Sequence, residues 1–213
     1  MHNPWLDLPS TPPFVLSADR KSVMALSGIN LDSMPEPFIG NPDSATVLLL
    51  NLNPGDSPDD KKAHGDPKFR ENLLCNLRHG VQEYLFYPLD PAVRWTPCGD
   101  WWCRHVRELL EHPKLSRERI AQRLCVVEWF PYHSKDAKKL PEKWVCASQL
   151  YGFEIGRKAI GKKLIIGMRA RKRWTDVDSR LGEVPYLGNH QSPYISVRNC
   201  GETLFNQIVD ALA

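Results

Sequence analysis

Asn51, Asn53 and Asp56 stand together in the run Asn-Leu-Asn-Pro-Gly-Asp, directly after the apolar residues 47–50. A side-chain amide carbonyl can hold a water molecule in place, and a carboxylate activates water more strongly, so Asp56 is a rival to Asn53 as general base. Glu128 ends a second apolar run at 124–127, Arg169 follows a third at 163–168, and His190, Gln191, Ser192 and Tyr194 follow a fourth at 184–187. Singly, each has a plainer reading. Asn53 and Asp56 suit a turn, His190 a surface loop, and Glu128 an ion pair with a nearby Arg. Arg169, Arg171 and Lys172 suit either a solvated helix face or phosphate contact.

The elements that must position these residues follow from periodicity. Unbroken apolar runs of this length read as strands buried on both faces, since a half-covered strand would alternate with polar residues. Pro54 and Gly55 stop the first strand abruptly. Helical spacing is found at 69–79, 100–112, 142–160, from 169 to 174, and at 201–212, while 56–68 reads as a long polar loop. Strands separated by helices predict an α/β fold, a three-layer α/β/α arrangement around a central, mostly parallel four-stranded sheet. Parallel strands would bring Asn53, Glu128, Arg169 and His190 to one edge, where open sheets bind ligands. Residues 1–40, rich in Pro, Ser and Asp, are expected to be a poorly structured wrap on a single domain spanning 1–213.

Composition bounds the rest. Hydrophobic residues at 42% and charged residues at 25% describe a globular chain, and a net charge of +3 permits a polyanionic partner without demanding one. No run approaches the ~18 apolar residues of a membrane span. Six cysteines without Cys-x-x-Cys spacing fit a reducing, cytoplasmic setting. Cys98, Cys103 and His105 are the nearest approach to a metal cluster, but a fourth ligand is missing, so neither metal nor cofactor is expected.

At this point the chain resembles the uracil-DNA glycosylase superfamily. Asn53-Pro54-Gly55 after a strand is similar to the first motif of the mismatch-specific and single-strand-selective branches, Gly-x-Asn-Pro-Gly. His190-Gln191-Ser192-Pro193 resembles the second, His-Pro-Ser-Pro, ahead of a last amphipathic helix. The resemblance implies a glycosylase that flips a nucleotide of DNA into a pocket. Asn53 would hold the attacking water, and His190 would donate to the departing base. Phe69 would stack on that base, Ser192 would grip a phosphate, and Tyr194 would fill the gap in the duplex. Three positions differ from the motifs: Asn51 replaces the leading Gly, Gln191 replaces Pro, and Glu128 stands where the family places a base-reading Asn. An ionised Glu128 only accepts hydrogen bonds, so it predicts a base offering donors rather than uracil.

The reading is therefore a monomeric DNA glycosylase, cytoplasmic or nucleoid-associated, with no membrane contact. Asn53, His190 and Asp56 are the catalytic candidates. Glu128, Phe69 and Asn51 are assigned to the base, and Ser192, Tyr194, Arg169, Arg171 and Lys172 to DNA. The alternatives are a catalytically silent nucleic-acid- or nucleotide-binding protein, and a nucleoside hydrolase using Glu128 and Asp56 as a carboxylate pair.

Overall fold

The computed structural model describes residues 2–213, which form a mixed α/β fold. Its strands are β1 (Ile29–Asn30), β2 (Phe38–Ile39), β3 (Val47–Asn51), β4 (Leu124–Glu128), β5 (His133–Ser134) and β6 (Leu164–Gly167). The main sheet runs β2-β4-β3-β6, and β1 pairs with β5 in a separate antiparallel ribbon. Strand β3 lies parallel to both β4 and β6, with Asn51 opposite Glu128 and Leu50 opposite both Val127 and Gly167. Every residue of β3 and β4 is buried, as unbroken apolar runs require when both faces of a sheet are covered.

The sheet departs from expectation at both edges. Residues 184–187 make one parallel bridge, Tyr186 to Gly167, in place of a full strand. Pro185 has no amide hydrogen to extend the ladder. The fourth strand is instead β2, antiparallel to β4. It comes from the N-terminal segment, which is not a loose wrap. Trp5, Phe14, Val15 and Val23 lie in the core, and the fully buried Asp19 accepts hydrogen bonds from the Tyr132 hydroxyl at 2.7 Å and the Ser148 amide at 3.0 Å.

Helices form near their expected places, with breaks that have local causes. Asp66 caps Pro67–Leu77 through the Phe69 amide, and Thr96 caps Pro97–His105 through Gly99. At Val106 the backbone leaves helical angles, so a short helix, Arg107–Leu110, follows. The stretch 142–160 is helical only over Gln149–Ala159. Additional helices include Asp60–Gly65, inside the loop expected to be irregular, Arg117–Arg123, whose N-cap Ser116 accepts from the Arg119 amide, and the short Ser179–Glu183 and Val197–Cys200. Gly152 lies so close to β4 that a Cβ there would be 3.2 Å from Val127 Cγ1, which seats Gln149–Ala159 tightly on the sheet. Among the described residues no helix is long and apolar enough to cross a membrane.

A Cβ on Gly167 would lie 2.1 Å from the Tyr186 ring, whose hydroxyl is tied to the Leu181 carbonyl at 3.1 Å. Gly167→Ala is therefore expected to lower stability by about 1–3 kcal/mol, read as a lower urea midpoint at unchanged m-value. A double-mutant cycle with Tyr186→Ala should give a coupling on the order of 1 kcal/mol; additive effects would refute the close approach.

Candidate functional site

A cavity of about 370 Å³ opens where β3 and β4 end. Asn51, Asn53 and Asp56 reach it from β3 and the turn beyond, Glu128 from the end of β4, Arg169 from just past β6, and Trp101 from helix Pro97–His105. Three of the four residues expected to converge, Asn53, Glu128 and Arg169, do so. His190 does not: its side chain is exposed and lies outside the cavity lining. Only its backbone approaches, the His190 and Gln191 carbonyls accepting from Arg169 at 3.0 and 3.3 Å. Because 184–187 does not run on as a strand, the following loop folds back. The Asn199 side chain holds the Ser192 and Tyr194 carbonyls at 2.9 and 3.0 Å.

The turn after β3 is clamped residue by residue. The Asn53 amide spends both hydrogens, on the Pro54 carbonyl at 2.6 Å and on Ser134 Oγ at 2.9 Å. Among the described residues no donor reaches Asn53 Oδ1, so a fixed acceptor is left at the cavity. The Ser134 amide donates to the Pro54 carbonyl at 3.3 Å, and Asn30 donates to Asp56 Oδ1 at 2.7 Å. His133 places Nδ1 against the Gly55 carbonyl and Nε2 3.0 Å from the Met34 carbonyl, tying the turn to the segment before β2. Glu36 Oε1 lies 3.9 Å from His133 Nε2.

Glu36, His64 and His133 bring three potential metal-ligand atoms together. Their hydrogen bonding does not suit a cation. His64 Nδ1 accepts from the Met34 amide at 3.1 Å, which leaves the proton on the nitrogen that would have to ligate. A ligating histidine instead donates from its other nitrogen. Burial pushes the His64 imidazole down to about 2, so it is neutral beside Glu36 and forms no ion pair with it. Burial likewise raises the carboxyls of Glu36 and Asp60. Cys98, Cys103 and His105 do not form a cluster: His105 is stacked between Trp101 and Tyr194 at 3.6 and 4.3 Å, while Cys103 points to the Pro88 carbonyl.

At the floor of the cavity Asn51 Nδ2 donates to Glu128 Oε1 at 2.9 Å. Asn51 is 3% exposed and Glu128 6%, and Asn51 Oδ1 and Glu128 Oε2 have no protein partner. Burial pushes the Glu128 carboxyl up to about 8, against the opposing pull of the Asn51 bond and of Arg169. At neutral pH Glu128 is therefore largely a neutral acid, which donates one hydrogen bond and accepts another. This revises the expectation that it only accepts, and with it the argument against uracil.

The remaining candidates sit as follows. Phe69 is buried beneath the cavity, edge-on to His64 at 5.1 Å and to Tyr87 at 5.7 Å, so it cannot stack on a ligand. The indoles at the lining are Trp101 and the more deeply buried Trp102. Tyr194 is the outer ring of the Trp101–His105–Tyr194 stack, parallel to His105 to within 2°, and is not a free wedge. Ser192 is exposed. Arg171 donates to the Gly182 carbonyl at 2.9 Å and covers the Tyr186 ring, so it is engaged in the fold, whereas Lys172 is exposed. Asn30, Glu36, Asp60, Trp101, His133 and Ser134 were not singled out from sequence. His133 and Ser134 carried one signal, their position just past the strand that ends at Glu128.

Compared with protein-family models, with curated proteins and with solved structures, the chain matches none.

A carboxyl raised in the folded state from 4.5 to about 8 holds its proton between those values while the unfolded chain loses it. Stability from Glu128 is thus fully present below 4.5 and declines as pH rises through 8, with a slope of up to about 1.4 kcal/mol per pH unit. Glu128→Gln, which cannot ionise, should flatten the urea-midpoint profile across that window and be the more stable form at its alkaline end. Parallel profiles for the two proteins would refute the raised value.

Proposed function

We propose that the chain hydrolyses the N-glycosidic bond of a damaged or deaminated nucleotide in DNA. On this reading the sheet is the middle layer of an α/β/α domain of the uracil-DNA glycosylase kind, acting as a monomer. One observation carries it: Asn53, locked through both amide hydrogens, leaves Oδ1 free in a cavity that also holds Asp56.

Cleavage builds positive charge on the sugar and negative charge on the departing base. Asn53 Oδ1 holds the water, Asp56 takes its proton, and the water oxygen bonds to the anomeric carbon as the bond to the base nitrogen breaks, its electron pair leaving with the base. Glu128, as the neutral acid, donates to that base, the role expected of His190. Trp101 supplies the stacking face. Arg169 meets the neighbouring phosphate, where charge-assisted contacts position without reading sequence.

Four carboxyls line the cavity while the His190 side chain stays outside, and this favours a second reading, a hydrolase of free nucleosides. Single- and double-stranded oligonucleotides carrying different lesions, followed by alkaline cleavage of abasic sites, separate the two. The first reading expects excision from oligonucleotides, reduced at least about a hundredfold in Asn53→Ala and little changed in His190→Ala. Base release from deoxynucleosides with no preference for oligomers would favour the second, and no release from either would refute both.

A further inference from the structure

A run of cations leaves the cavity. Asp56, Ser57 and Asp60 line it, and so does Lys135, from which the chain continues through the turn Ala137–Lys139 to Lys138, Lys139 and Lys143. All four lysines are exposed and none joins an ion pair among the described residues. Two acids lie within the run: Asp136, whose Oδ1 accepts from the Lys138 amide at 3.0 Å, and Glu142, which pairs with Lys172 at 3.9 Å. Arg173 donates to the Leu140 carbonyl at 3.0 Å, fixing this segment to the helix that follows β6. Directly after Lys143 the Trp144 side chain stands 53% exposed, among the largest apolar exposures on the surface.

Cations in a row attract a phosphate backbone, and an exposed indole offers a face to a base. Bases within a duplex are already stacked on their neighbours and cannot use such a face, whereas unpaired bases can. We propose that residues 135–144 are a track for single-stranded nucleic acid, with phosphates along Lys135, Lys138, Lys139 and Lys143 and an unpaired base on Trp144. The assignment rests on the cavity being a nucleotide site and adds the strand that carries the nucleotide.

Fluorescence anisotropy of a short, labelled, lesion-free oligonucleotide, titrated over a range of NaCl concentrations, tests the track without requiring catalysis. The single strand should bind more tightly than its duplex. Replacing Lys138, Lys139 and Lys143 together by Ala should reduce the slope of log affinity against log salt by about two, near 0.7 for each phosphate no longer neutralised. Trp144→Ala should weaken single-strand binding by about tenfold and reduce the quenching of tryptophan fluorescence on binding. Unchanged slopes in properly melting variants, tighter duplex binding, or no binding at low salt would overturn the track. The excision assay on the same proteins keeps the two conclusions apart: binding with these signatures and no excision removes the glycosylase reading alone, and excision with unaltered binding in the variants removes the track alone.

Discussion

The hydrogen bond between Asn51 and Glu128 is the interaction on which the site depends. The parallel register of β3 and β4 sets the two residues opposite each other at the last rung of the ladder, both buried and 2.9 Å apart. Burial at the end of an apolar strand disfavours the carboxylate, and the carboxyl answers by keeping its proton. Asn51 is thus a partner for the acid. The pair closes the floor of the cavity, and the turn carrying Asn53 and Asp56 starts from its edge.

The same physics makes an acid-lined cavity compatible with a phosphate-bearing ligand. Four ionised carboxylates within one cavity would repel a nucleotide strongly. Burial raises Glu36, Asp60 and Glu128 toward their neutral forms, and Arg169 stands at the rim. On the proposed reading Asp56 lies where positive charge develops on the sugar. Exposed cations follow from Lys135 onward.

Continuous apolar runs were enough to read β3, β4 and β6, and strand order then brought Asn53, Glu128 and Arg169 together, because parallel strands put their polar ends on one edge. The edge strands were not readable in this way. Pro185 reduces the expected fourth strand to one rung, and β2 is two residues long in a segment whose prolines read as loop. His190 was misplaced because strand order fixes where a loop begins and not which way it turns. Phe69 was misplaced because it lies on the inner face of its helix. Glu36, His133 and Ser134 were missed since their partners are remote in sequence, and no local pattern marks a side chain that clamps a turn across the ribbon of β1 and β5.

The most direct test is a carboxyl carbon-13 NMR titration of Glu128 in the intact protein, assigned by comparison with Glu128→Gln. A neutral carboxyl at pH 7 that titrates near pH 8, with an alkaline shift of the Asn51 side-chain amide at the same midpoint, is the predicted result. Titration near the ordinary glutamate value of about 4.3 would contradict it and leave the cavity without an acid to assist the departing base.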